Sequence, residues 1–186
     1  MLEVMLSFLK NSFSLIILRL QEFILAPTQN PDMIWMLIPI VFTLIVMEFY
    51  FGRYKSERLG WGSATGNSLV LILISMDLLR NLYQNNNLSF LFMKLITYSD
   101  LATFVVFIVL AEGLLIFILD FLHLWPEFFA FRVSSFLVVN LLAYIGVTLI
   151  YSGIILDMAT LAAVVIFFII FSAVFFFARM LIPRAK

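Results

Sequence analysis

Five ionisable side chains lie within stretches of this chain that are otherwise almost entirely apolar: Glu48, Asp77, Arg80, Glu112 and Asp120. A charged side chain at the centre of a lipid bilayer costs about 2.5–3.5 kcal/mol on insertion scales, so each one needs a partner or a function. Carboxylates and a guanidinium in such a setting can bind a cation, carry a proton or pair one helix with another. Any chemistry of this chain is therefore sought first at these positions.

The composition predicts that lipid surrounds these charges. Of the 186 residues, 65% are hydrophobic and only 12% are charged, whereas soluble domains are about 45–50% apolar and about 25% charged. The formal net charge is 0, which argues against nucleic-acid binding through a basic surface. The sequence has no cysteine and a single histidine, His123. Thiolate chemistry and a multi-histidine metal site are therefore excluded for it, and no cofactor is predicted.

Five apolar segments are long enough, or nearly long enough, to cross a bilayer as helices. They cover residues 34–51, 68–83, 101–122, 133–151 and 159–182. A further apolar piece, 88–97, is too short to span and is expected to form a surface or re-entrant helix. The sequence therefore predicts an all-α fold, a polytopic membrane helix bundle of about five transmembrane helices over residues 33–186.

Residues 1–26 form a separate N-terminal segment with a polar stripe. Polar side chains recur at helical spacing from Glu3 to Glu22, and the opposite face is apolar. This pattern favours an amphipathic helix that lies along the membrane surface. The alternative is an imperfect first span, which would give six spans and allow a three-plus-three arrangement. Two prolines within residues 26–32 predict a turn-rich linker that breaks the helix.

Lysine and arginine in short loops predict the orientation of the bundle. With five spans, three basic residues fall on one side: Lys10, Arg19 and Lys94. Seven fall on the other: Arg53, Lys55, Arg58, Arg132, Arg179, Arg184 and Lys186. The 52–67 loop and the C-terminus are therefore predicted to face the cytoplasm.

Asp77, Arg80 and Glu112 are the candidate ion- or proton-binding residues. Asp77 and Glu112 lie in oppositely directed spans, each about 14–16 Å from a span end at 1.5 Å per residue, so both are predicted near mid-membrane. Arg80 can neutralise one carboxylate, and the other would be protonated or hold a cation. Asn140 and Tyr144 could supply further oxygens. The alternative is structural: Asp77 and Arg80 pair within one helix, and Glu112 bonds a neighbouring helix or subunit.

The remaining two acids fall near span ends. Glu48 is expected to pair with Arg53 or Lys55 at the membrane interface. Asp120 and His123 are three residues apart, and such a pair can shuttle protons because histidine titrates near neutral pH. At a membrane boundary a simple solvated pair is the more common arrangement. No serine or cysteine nucleophile with a motif accompanies them, so no catalytic residue is assigned.

The loop after the first predicted span is rich in glycine and basic residues. The stretch 60–67 is typical of a turn before a helix, but it lacks the GK[ST] that closes a phosphate-binding P-loop. Arg53, Lys55 and Arg58 are candidates to contact anionic lipid headgroups or a partner protein, at about 1 kcal/mol each.

Three hypotheses for function follow. The first is a non-catalytic integral subunit of a larger membrane assembly, whose partners are the lipid bilayer and other membrane subunits. The absence of a catalytic motif and the amphipathic arm favour it. The second is a small transporter or channel component that moves protons or cations through Asp77, Arg80 and Glu112. The third, less favoured, is an intramembrane lipid-modifying enzyme that uses Asp120, His123 and the basic loop.

Overall fold

The computed structural model describes residues 2–54, 60–85 and 98–183, and within them the side chains of 10–54, 60–85 and 99–183. These ranges contain seven α-helices and no strand, which confirms the all-α prediction. The helices are α1 (Leu2–Gln29), α2 (Pro31–Arg53), α3 (Trp61–Gln84), α4 (Tyr98–Phe121), α5 (Glu127–Val133), α6 (Phe136–Tyr151) and α7 (Met158–Leu181). The predicted 88–97 helix, Lys55 and Arg58 lie outside the described residues.

Four helices, α2, α3, α4 and α7, are each long and apolar enough to cross a membrane. Helices α5 and α6 together would make a fifth span, bent by 41° at a short break. Ser135 lies at that break and caps α6, because its Oγ accepts from the Val138 backbone nitrogen at 3.3 Å. The predicted membrane helix bundle of about five spans is therefore confirmed. Helix α1 is 28 residues long, and the part of it whose side chains are described, residues 10–29, is not among the helices that could span.

Contacts between helix ends show how the bundle alternates in direction. Helices α2 and α6 are antiparallel, since Phe51 packs on Phe136 with ring centroids 6.0 Å apart. Helices α3 and α4 are antiparallel too, since Trp61 packs on His123. We call "end A" the end formed by residues 52–54, 60–61, 122–135 and 179–183, and "end B" the end formed by residues 29–31, 84–85 and 152–157. The cytoplasmic location of end A stays a prediction.

Helix α6 forms the centre of the bundle. From Val139 to Ile150 only Leu142 and Tyr144 are more than marginally accessible, and the helix packs against α2 and α3 most extensively. Gly146 faces α3, since a Cβ placed on it would make ordinary contact with Leu78 at 3.5 Å. Burial on all sides explains why this helix is apolar around its whole circumference.

Helix α1 continues through Pro27 to Gln29 and breaks only at Asn30. The predicted linker at residues 26–32 is therefore wrong. Proline in a helix interior cannot donate a backbone hydrogen bond to the carbonyl four residues earlier, here that of Phe23. The Tyr144 hydroxyl donates to this carbonyl at 2.9 Å and replaces the missing bond. Tertiary packing on α6 thus compensates for the proline.

Candidate functional site

Asp77 is the centre of a three-residue cluster near end B. Arg80 Nη2 donates to Asp77 Oδ1 at 2.5 Å, and the Tyr151 hydroxyl donates to Asp77 Oδ2 at 2.7 Å. The Asp77 side chain is 13% exposed, whereas that of Arg80 is 65% exposed. One carboxylate is thus neutralised by its own helix neighbour and also ties α3 to α6. The intrahelical pair considered from the sequence is present, and the tyrosine is an added partner.

Glu112 lies apart from this cluster. Gly113 packs directly against α3: a Cβ placed there would lie 3.1 Å from the Leu71 Cβ and 3.2 Å from the Ile72 backbone nitrogen. Glu112 is therefore level with the Leu71–Ile72 turn, about 8 Å along α3 from Asp77 at 1.5 Å per residue. The structure brings Asp77 and Arg80 together but does not add Glu112 to them, and the role of the three as an ion site stays a prediction.

The Glu112 carboxyl has neither a hydrogen bond nor an ion pair within residues 2–54, 60–85 and 98–183. Glu112 lies between the buried face of α4 and its exposed face. Gly113 and Ile116 on one side are buried, and Ile108 and Leu115 on the other are exposed. Glu112 itself is half-buried. A carboxyl group at this position is accessible from outside the bundle.

Asn140 and Tyr144, the further oxygen donors considered from the sequence, have structural partners. Asn140 is buried, and its Nδ2 donates to the Phe136 carbonyl one turn earlier at 2.7 Å. The Tyr144 hydroxyl is bonded to α1 at the carbonyl freed by Pro27, and its ring stacks on Phe167 with centroids 5.4 Å apart. Neither side chain is bonded to Asp77.

Glu48 joins α2 to α7 near end A. Arg179 donates two hydrogen bonds to it, one from Nη2 to Oε1 at 2.6 Å and one from Nε to Oε2. Glu48 is only 2% exposed, so this bidentate pair compensates a buried charge. The expected pairing with Arg53 is wrong because the last turn of α7 packs beside α2 there, and Lys55, the other expected partner, lies outside the described residues. At Gly52 a Cβ would approach the Ile182 side chain to 2.5 Å.

Asp120 is fully buried and anchors a polar network at end A. Its Oδ1 accepts from Trp125 Nε1 at 2.8 Å, and its Oδ2 accepts from Ser134 Oγ at 2.5 Å. Asn67 Nδ2 donates to the Ser134 carbonyl at 2.6 Å and so attaches α3 to the network. The carboxyl group therefore fixes the course of the chain between α4 and α6.

His123 does not pair with the Asp120 side chain, so the predicted pair is wrong. Its backbone φ is 54°, in the left-handed region, where non-glycine residues are uncommon and histidine is among the more tolerated. This turns the ring towards α3, where it packs on Trp61 with centroids 4.3 Å apart. The His123–Asp120 contact that the enzyme hypothesis would use for proton shuttling is therefore not formed.

Arg19 forms a charged cluster at end B that the sequence did not indicate beyond its polar stripe. Its side chain is 9% exposed and pairs with Glu22 at 2.8 Å and with Asp157 at 3.1 Å. Asp157 also caps α7, since its Oδ1 accepts from the Thr160 backbone nitrogen at 2.7 Å. The Thr160 N–H and the Arg19 guanidinium together hold the pKa of Asp157 below its ordinary value, against the opposing effect of burial. The Asp157–Thr160 spacing is a readable N-cap signal, but nothing in the sequence joins it to α1.

Two cavities border α1. One, of about 510 Å³, is an apolar groove between α2 and α6, where the only polar side-chain group among the described lining residues is the Tyr144 hydroxyl already bonded to Phe23. The other, of about 260 Å³, lies between α1 and residues 152–155 and is lined by charged and polar side chains. In the part of the chain that the structure describes, no group of three potential metal ligands occurs.

Of the three basic candidates for lipid or partner contact, Arg53 alone falls within the described ranges. It is the last residue of α2 and is exposed at end A, together with exposed Arg132 of α5. This location is compatible with contact to headgroups, which stays a prediction.

Comparison of this chain with known protein families, with curated proteins and with solved structures found no match in any of the three.

Proposed function

We propose that this chain is a non-catalytic integral subunit of a larger membrane assembly, and that α4 carries the surface on which a partner subunit docks. The observation that carries the proposal is that the Glu112 carboxyl group has no partner within the described residues. Among the five embedded charges, Glu48, Asp77, Arg80 and Asp120 have partners inside the chain. Glu112 has none within the described residues and is reachable from outside.

An unpaired carboxyl group facing lipid is unfavourable. The charged form at a helix centre costs about 2.5–3.5 kcal/mol on insertion scales, and a protonated carboxyl still has donors and acceptors that lipid cannot satisfy. A hydrogen-bonding or basic side chain of a second helix would remove that cost. Such interhelical hydrogen bonds contribute about 0.6 kcal/mol on average and up to about 1.7, so Glu112 would add to an interface otherwise held by packing.

The surroundings of Glu112 suit a helix–helix interface. Ala111 beside it is exposed, and small residues allow two membrane helices to approach closely. Ile108 is 48% exposed and Leu115 is 57% exposed on the same side of α4, so they supply apolar contact area around the polar group. The proposed partner therefore presents a helix with an arginine, lysine, serine or amide side chain at the depth of Glu112.

Site-specific crosslinking in the native membrane tests this proposal. A photo-reactive residue at Leu115 is expected to give a discrete adduct larger than the 21.4 kDa chain. Ile169 of α7 provides the matched control, because it is 60% exposed but lies on a different helix, and no adduct is expected there. Glu112→Gln is expected to weaken the adduct, and Glu112→Leu to weaken it further. A chain that gives no adduct from Leu115, or equal adducts from both positions, would contradict the proposal.

A flux measurement separates this proposal from transport. The purified chain alone, reconstituted in liposomes, is expected to carry no proton or sodium current. If it does carry one, and Asp77→Asn or Glu112→Gln abolishes that current in folded protein, the transport hypothesis replaces the subunit hypothesis.

A further inference from the structure

The 260 Å³ cavity at end B has the form of a small binding site. It lies between one face of α1 and the first residues after α6, and it opens where the spans α6 and α7 meet. The polar part of its lining comes from Arg19, Glu22, Gln29 and Ser152, and the apolar part includes Ile154 and Ile155. Its position places it at the boundary between the bilayer core and the headgroup layer.

The charges around the cavity do not cancel. Arg19 and Glu22 line the cavity, and Asp157 is not a lining residue but is bonded to Arg19. Arg19 carries one positive charge and is paired with both carboxylates, so the cluster has a formal charge of −1. Both carboxylates are more than a third exposed and have lone pairs left for another donor. A ligand with one cationic end would restore neutrality.

At least one hydrogen-bond donor beside the cavity also lacks an acceptor in the described chain. The Arg19 Nε–H is enclosed and has no acceptor within the described residues, and a buried donor without an acceptor is costly. Gln29 adds an amide to the lining, and Ser152 adds a hydroxyl whose only acceptor among the described residues is the Met33 sulfur, a weak acceptor, at 3.8 Å. An anionic group entering beside the cationic one would accept from these donors, so the cavity fits a zwitterion.

We propose that this cavity binds the headgroup of an ethanolamine-type phospholipid, with its ammonium on Glu22 and Asp157 and its phosphate towards Ser152, Gln29 and Arg19. This binding is independent of the proposed assembly, since the described parts of α1 and α4 do not touch. The lipid would hold α1 against the bundle at the membrane surface.

The residues that line the cavity favour an ethanolamine headgroup over a choline headgroup or a purely anionic one. A quaternary ammonium is typically bound by a cage of aromatic rings, and none of the described residues that line this cavity is aromatic. A primary ammonium instead donates hydrogen bonds, which the two carboxylates can accept. An anionic headgroup without a cationic end would be repelled by the net charge of −1.

Native mass spectrometry of the full chain tests the assignment. The protein, stripped of lipid in mild detergent, is equilibrated with an equal mixture of phosphatidylethanolamine, phosphatidylcholine and phosphatidylglycerol. Retention of phosphatidylethanolamine is expected to exceed that of the other two by about tenfold, the effect of one charge-assisted hydrogen bond. Glu22→Gln combined with Asp157→Asn is expected to abolish this preference. The amide oxygen that Asp157→Asn introduces can still accept from the Thr160 backbone nitrogen, so α7 keeps its cap.

Asp32→Asn is the matched control, because Asp32 is an exposed acid at the same end that neither lines the cavity nor pairs with Arg19. It is expected to leave the preference unchanged. Equal retention of the three lipids, preference for phosphatidylglycerol, or a preference that survives in a folded double variant would overturn the proposal. Soluble phosphoethanolamine is expected to compete weakly. Competition as strong as that of the lipid would assign the cavity to a free metabolite and overturn the lipid assignment.

Discussion

Asp120 and Glu112 are both carboxylic acids on α4, about 12 Å apart along its axis at 1.5 Å per residue, yet their surroundings are opposite. Asp120 is fully buried and accepts from two donors. Glu112 is half-buried and has no partner within the described chain. The difference teaches that an acidic residue in an apolar helix is a functional candidate only where its own bundle leaves it unsatisfied. Burial alone would select Asp120, whose described partners lie within its own chain.

The largest expected effect is at Asp120. Asp120→Ala leaves the buried Ser134 Oγ and the partly buried Trp125 Nε1 without an acceptor, which should destabilise the chain by about 3 kcal/mol. Asp120→Asn keeps one acceptor and should cost less. Equilibrium unfolding in mixed detergent micelles measures both. Unfolding of the alanine variant at the wild-type midpoint would show that the network contributes nothing to stability.

Gly113, next to Glu112, tests how closely α3 and α4 approach. Gly113→Ala places a methyl group 3.1–3.2 Å from Leu71 and Ile72, and overpacking of this kind costs about 1–3 kcal/mol. Gly62→Ala is the matched control, because a Cβ at Gly62 meets nothing within 4 Å. The control should be neutral or slightly stabilising, as alanine favours helix. The same unfolding assay compares the two, and equal midpoints would contradict the close approach.

Glu112→Leu is expected to stabilise the isolated chain, whereas the substitution at Asp120 destabilises it. Replacing a carboxyl that faces lipid should stabilise the isolated chain by about 1 kcal/mol, while association with the proposed partner falls. Unfolding of the isolated chain and crosslinking in membranes give the two readouts. Destabilisation of the isolated chain by this substitution would mean that Glu112 has a partner within its own chain.

Tyr144→Phe should cost about 1 kcal/mol, because it leaves the Phe23 carbonyl freed by Pro27 without a donor. A double-mutant cycle gives the sharper test. In a Pro27→Ala background, the new backbone N–H can bond that carbonyl within the helix, so Tyr144→Phe should then cost much less. If Tyr144→Phe lowers the free energy of unfolding equally in both backgrounds, the tyrosine hydroxyl does not compensate for the proline.

The smallest expected effect is the pH dependence of the Arg19 cluster. The folded-state pKa of Asp157 is lowered, chiefly by the Thr160 N–H and then by Arg19. The contribution of the Asp157 carboxylate to stability is therefore fully present above the ordinary aspartate pKa of about 3.9. It is lost as the pH falls through the lower pKa of the folded state. The difference between the thermal midpoints of wild type and Asp157→Asn should begin to shrink at about pH 4 and vanish once the pH is below the lowered folded pKa of Asp157. A difference that does not change as the pH falls further would argue against the carboxylate as its source.

The successes of the sequence analysis came from periodic patterns. Hydropathy located the spans, although α3 begins at Trp61, so that residues 61–67 of the predicted 52–67 loop are helical. The all-α bundle, the alternating helix directions and the Asp77–Arg80 pair follow from local patterns. The errors came from partners distant in sequence. Glu48 was expected to bond a nearby cation but bonds Arg179, and Pro27 was expected to end α1 but is compensated by Tyr144. Spacing cannot reveal such partners, because only the packing of separate helices brings them together.

Hydropathy and helical periodicity are local properties, so the residues alone predict apolar helices that carry a few costly charges. Which of these charges find a partner depends on how the helices pack. This packing buries Asp120 against Ser134 and Trp125, joins Glu48 to α7 and places Arg19 at a cavity. It leaves Glu112 at the surface of α4. The physical reason is that a hydrogen bond requires two groups within about 3 Å of each other, and the relative placement of the helices sets that distance.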